Sequence, residues 1–110
     1  MDIDFSSPDL QVLCEQQRIM TKQLGDICSR KLRTRLSDLR AVASVAELSA
    51  GRPHPLKGER AGQFALDLHG GKRLVFEPAN IPVPVLEDGS IAWVLVTKIR
   101  IVFIGNYHDK

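Results

Sequence analysis

Hydrophobic and polar positions change period twice along the chain. Asp2-Ile3-Asp4-Phe5 alternates, which predicts a short strand. Ser7-Pro8-Asp9 then reads as a helix start: Ser7 caps, Pro8 suits the first turn, and Asp9 favours the positive end of the helix dipole. Leu10, Leu13, Met20 and Leu24 fall on one helical face, and Gly25 ends this helix. Asp26 caps a second helix. Its stripe, Cys28, Leu32, Leu36, Leu39, Ala43 and Ala46, steps by three or four until the pattern fades near Leu48 and Gly51 stops it. Arg30, Arg33, Arg35 and Arg40 lie off that stripe, toward solvent. So short a connection between two helices predicts an antiparallel hairpin.

After Gly51 the period becomes that of strands. Phe64, Leu66 and Leu68 alternate with Gln63, Ala65, Asp67 and His69, and Gly70-Gly71 predicts a tight hairpin. Arg73-Leu74-Val75-Phe76-Glu77 alternates on the return, with Arg73 pointing away from the helices. A loop is expected over 78–92, rich in proline and carrying Glu87, Asp88 and Gly89; its length marks it as a functional or mobile segment. The last strand is expected from about Lys98 to Ile104, with Ile99, Ile101 and Phe103 facing one way and Val102 and Ile104 the other. Apolar on both sides, it belongs inside a sheet. The predicted fold is α+β: an N-terminal antiparallel helical hairpin packed on one face of a small, mainly antiparallel β-sheet.

Composition narrows the class. The 110 residues, 44% hydrophobic and 25% charged, suit one domain spanning 1–110 with one core. The longest apolar run, Ile91–Val96, is far short of a membrane span. The first 17 residues hold four acids and no Lys or Arg, unlike a secretory signal, and a cytoplasmic location is expected. Cys14 and Cys28 make neither a disulfide framework nor a zinc pattern; they read as packing thiols. Net charge is only +2, but Arg18 to Arg40 holds seven bases against two acids. Such a surface meets a polyanion or stays solvated.

Candidate chemistry gathers on three segments. His54 sits between Pro53 and Pro55, which stiffen the chain, with Lys57 three residues on. Tyr107 and His108 follow Asn106 just past the last strand, and strand ends present polar groups to clefts. Arg73 opens the return strand. His69, beside the hairpin turn, reads as a solvated imidazole. Two histidines, a tyrosine, a lysine and an arginine converging on the sheet face away from the helices suit RNA cleavage by transesterification. A base takes the 2′-OH proton, the oxygen attacks the adjacent phosphate, and an acid protonates the 5′-oxygen. Imidazole does either job near neutral pH, while Lys and Arg offset charge on the phosphorane. Neither a metal nor a cofactor is expected.

The segments RPHPLKGERAG (52–62), QFALDL (63–68), RLVFEPAN (73–80) and IRIVFIGNYH (99–108) resemble the HigB-like toxins of the RelE/ParE superfamily. The resemblance implies a small toxin of a type II toxin–antitoxin module that cuts mRNA in the ribosomal A site. It implies a helix-turn-helix, HigA-like antitoxin as partner, and operator DNA reached only through that complex. Carried over residue by residue, it implies catalytic roles for His54, Lys57, Arg73, Tyr107 and His108. Arg30, Arg33, Arg52 and Arg60 are the expected RNA-binding bases. Asn106 stands where the family has Asp, which implies a weakened ribonuclease. Two other activities on this scaffold are a toxin-like subunit, weak or inactive in catalysis, that serves antitoxin binding and operon autoregulation, and, third, a ParE-type gyrase inhibitor.

Overall fold

A computed structural model describes residues 1–106; Tyr107 and His108 lie outside the described residues. The chain runs β1 (Asp2–Phe5), α1 (Pro8–Glu15), α2 (Gln17–Leu24), α3 (Asp26–Ala41), β2 (His54–Pro55), β3 (Phe64–Asp67), β4 (Arg73–Pro78) and β5 (Lys98–Gly105), with short 3₁₀ turns between. The strands form one sheet in the order β1-β5-β4-β3-β2. Only the β1–β5 pair is parallel. The helices cover one face, and the fold is α+β as the periodicity predicts.

Helix starts follow the side-chain chemistry. Ser7 Oγ accepts from the Leu10 amide at 3.2 Å, and Pro8 fills the first turn. The first helix is not continuous, however. Gln16 is extended (φ −112°, ψ 103°), so three helices stand where two are predicted. The break lies in Glu15-Gln16-Gln17-Arg18, four exposed polar residues with no packing to hold the axis straight. Leu10, Leu13, Met20 and Leu24 still reach the common core from both pieces.

The helix predicted to fade near Leu48 ends at Ala41 instead. Ala43 and Ala46, placed on its apolar stripe by spacing, are exposed. Val45 is fully buried instead, and its amide donates to Val96 O at 3.2 Å. A valine sequestered in the core outweighs two alanines that have little apolar area to bury.

Leu66, Leu74 and Ile104 form one row across the sheet on the helix side, and Phe64, Phe76 and Ile101 the next. A bulge between Val75 and Phe76 shifts the β5 register, so that Val75 faces Phe103 while Phe76 faces Ile101. Phe103 thus leaves the face of Ile99 and Ile101, where strict alternation puts it, and Ile104 takes its place against the core. The β3–β4 connection is also longer than a two-residue hairpin. It runs over 68–72 with Gly70 and Gly71 both at positive φ. The 78–92 segment is a loop as expected, pinned by an isolated Val85–Ile91 bridge. The apolar run after it is a 3₁₀ turn, Trp93–Leu95, whose indole packs 4.8 Å from the Phe64 ring.

Both cysteines are buried and unbonded, as packing thiols are. Burial pushes the Cys14 thiol up to about 12 against the opposing charge of Arg40, so the reactive thiolate is suppressed. No helix among the described residues is long and apolar enough to cross a membrane.

Candidate active site

The side chains of interest lie on the sheet face away from the helices. Register places them in two rows. His54, Ala65, Val75 and Phe103 run across β2, β3, β4 and β5, and Asp67, Arg73 and Gly105 lie one step along. Ala65 and Val75 are completely buried here, so this face is not an open plane. Arg60 lies over the Phe103 ring with its guanidinium carbon 4.6 Å from the centroid, and its Nη1 donates to Gln63 Oε1 at 2.9 Å.

Asp67 joins the polar groups. Arg52 Nε donates to its Oδ2 at 2.8 Å, with Arg52 Nη2 3.4 Å from Oδ1. Arg73 sits directly across from it in the β3–β4 ladder, its Nε 2.8 Å from Oδ1. That oxygen lies off the Nε–H direction, so this contact is an ion pair rather than a hydrogen bond. Arg73 Nη1 donates to Lys72 O at 3.2 Å. Burial works to raise the Asp67 pKa. The Arg52 hydrogen bond and the charges of Arg73, Arg52 and His54 outweigh it and hold the carboxyl below its usual value.

Arg52 is the one non-glycine residue at positive φ among those described, at 50°. That region costs an L-residue about 1–2 kcal/mol. The turn brings its carbonyl within 2.7 Å of His54 Nδ1. A carbonyl only accepts, so Nδ1 carries the proton, and in the neutral ring the lone pair is on Nε2. The proline-flanked histidine is therefore an edge-strand residue with a defined tautomer.

The structure thus brings together His54, Arg52 and Arg73, with Arg60 on the same face. Lys57 is exposed, two residues past β2, at the head of the 3₁₀ turn 58–60. Asn106 follows Gly105, the β5 partner of Arg73, and its Nδ2 would lie 3.1 Å from a Cβ placed on Gly71. Arg30 and Arg33 are not part of this group. They are exposed on α3 in the helical layer, with the core between them and this face. Their helical spacing correctly reports solvent exposure, but exposure does not say which side of the molecule is exposed. Asp67 is absent from the residues that sequence singles out, though a signal exists: it is the polar position of β3 opposite Arg73 in a hairpin. Phe103 is concealed by the bulge. Among the described residues, no cluster of three His, Cys, Asp or Glu side chains is placed to hold a metal ion.

Three solved structures share this architecture. A YoeB/ParE toxin from Agrobacterium tumefaciens superimposes with a TM-score of 0.60 at 11% identity, 97% of this chain covering 99% of that one. YoeB in a YoeB–YefM complex from Staphylococcus aureus gives 0.56 at 18% identity, and a YoeB dimer from the same organism 0.55 at 16%. Both cover 97% of each chain. The fold is that of the YoeB/ParE toxins. No family model matches the chain, and no curated protein matches it in sequence. At these identities the likeness is one of backbone, and the toxin fold extends over almost the whole chain.

Proposed function

We propose that the protein is the toxin of a type II toxin–antitoxin module and acts as a ribosome-dependent mRNA endoribonuclease of the HigB-like kind. The observation that carries this reading is the meeting of His54 and Arg73 around Asp67 on one face of a toxin fold. In the proposed reaction, one imidazole removes the 2′-OH proton. The 2′-oxygen attacks the adjacent phosphorus in line, and the P–O5′ bond breaks. The second imidazole protonates the departing 5′-oxygen, leaving a 2′,3′-cyclic phosphate. His54, through Nε2, and His108 share these roles. Arg73 and Lys57 neutralise charge on the phosphorane. Tyr107 orients the base or the nucleotide, and Arg52 and Arg60 bind the RNA backbone. Arg30 and Arg33 fit a separate contact with ribosomal RNA or with an acidic antitoxin. A HigA-like helix-turn-helix antitoxin is the proposed partner, consistent with a solved YoeB that is held by YefM, and operator DNA is met through that complex. The proposed setting is the cytoplasm.

The test is primer extension on mRNA bound to purified ribosomes. We expect cuts with the parent protein, none with His54→Ala or His108→Ala, and faster cutting with Asn106→Asp, which restores the carboxylate of the family pattern. A parent that never cuts, while still binding its antitoxin, replaces this reading with that of a non-catalytic binding subunit. Cleavage complexes on plasmid DNA with purified gyrase would instead establish the ParE-type activity. Equal rates for Asn106→Asp and the parent would show that Asn106 does not limit catalysis.

A further inference from the structure

Among the described residues, Asp67 is the one acidic group that faces the His54 side of the sheet and touches two arginines at once. Its partners differ in kind. Arg73 is an interior strand residue whose side chain is mostly buried. Arg52 lies in the connector before β2, in a left-handed conformation that nothing in an arginine favours. That conformation delivers the Arg52 carbonyl to His54 Nδ1. The Asp67 amide also donates to Gly51 O at 2.6 Å, so the same residue anchors the connector by both backbone and side chain.

We propose that Asp67 is a positioning residue of the proposed ribonuclease site: by clamping Arg52 it holds the carbonyl that fixes His54 as the Nδ1–H tautomer, and by pairing with Arg73 it fixes that guanidinium on the same face of the sheet. The inference rests on the ribonuclease reading for its purpose, but not for its geometry. Without the carboxylate, the side-chain tie that helps hold Arg52 at positive φ is lost. Its carbonyl then turns away, and His54 samples both tautomers. Nε2 would carry the proton part of the time and could not accept one from a hydroxyl. The two guanidinium groups would also repel each other with nothing between them.

The test separates the inference from the activity. Long-range 1H–15N correlation spectra at about pH 8.5, where imidazoles are neutral, report the tautomer of His54. The parent should show Nδ1–H alone. Asp67→Ala should shift the ring toward the mixture that free histidine shows, with the amide spectrum of the core unchanged. Asp67→Asn, which keeps the shape and one acceptor oxygen, covers the case in which the alanine variant does not fold; it should fall between the two. On programmed ribosomes, Asp67→Ala should lower kcat at least tenfold with a smaller change in KM. In Asp67→Ala, Arg52→Gly should restore the Nδ1–H signal, because glycine holds the left-handed turn without a clamp. An Nδ1–H tautomer that persists in both Asp67 variants overturns the proposal. A fixed tautomer in a parent that cuts no mRNA leaves the positioning role intact and removes the ribonuclease reading.

Discussion

Gly51 is pressed against Arg35 so closely that a Cβ on it would stand 2.7 Å from the guanidinium Nε. Arg35 cannot easily retreat. Its side chain is nearly buried on α3, with Nη1 held by Asp38 at 2.9 Å. Gly51 also has φ +83°, where L-residues are strained, and its carbonyl receives the Asp67 amide. Helical layer, connector and candidate site thus meet at a residue with no side chain. Gly51→Ala is expected to destabilise the protein by roughly 2–3 kcal/mol, from the left-handed backbone and the displaced arginine together. Urea denaturation measures it. A loss below about 0.5 kcal/mol, the range of an ordinary surface substitution, would show that the contact is soft.

Phe64 joins the sheet core to the segment after the long loop. Its ring stacks 5.5 Å from Phe76 and lies 4.8 Å from Trp93. Phe64→Ala should cost about 3–5 kcal/mol, as removal of a buried aromatic does. It should also shift the emission of Trp93, the one tryptophan in the sequence, to the red as water reaches the indole. Unchanged emission in the folded variant would mean that Trp93 is held by other neighbours.

Asp67 contributes an acid-sensitive part of the stability. Its carboxyl lies below the ordinary 3.8 in the folded chain, burial opposing and the arginines prevailing. A depressed carboxylate stabilises fully above its unfolded value, and that contribution is lost as pH falls through the folded one. Stability measured from neutral pH downward should therefore drop below about pH 4. Asp67→Asn, already less stable at neutral pH, should show a shallower drop. Parallel curves for the two proteins would show that other carboxyls account for the acid limb.

How much of this was present in the linear pattern can be judged element by element. Strand alternation over 64–68 and 73–77 placed Leu66, Leu74 and Phe76 against the helices and Arg73 away from them, as found. Spacing put Leu32, Leu36 and Leu39 in the core. These assignments succeed because a side chain's face depends only on local backbone period. The break at Gln16, the early end of α3 and the bulge that turns Phe103 over are different. Each depends on what the segment packs against.

The candidate site divides the same way. Residue type and local stiffness singled out His54, Lys57 and Arg73, since the chemistry of imidazole, ammonium and guanidinium belongs to the residue itself. That Arg73 pairs with Asp67, that Arg52 lends its carbonyl to His54, and that Arg30 and Arg33 sit beyond the core are matters of the folded chain. Sequence alone determined the two kinds of layer and the reactive groups. Only the tertiary structure decided which charges became neighbours, because ion pairing depends on distance through space, and residues 52, 67 and 73 are neighbours only once β2, β3 and β4 have paired.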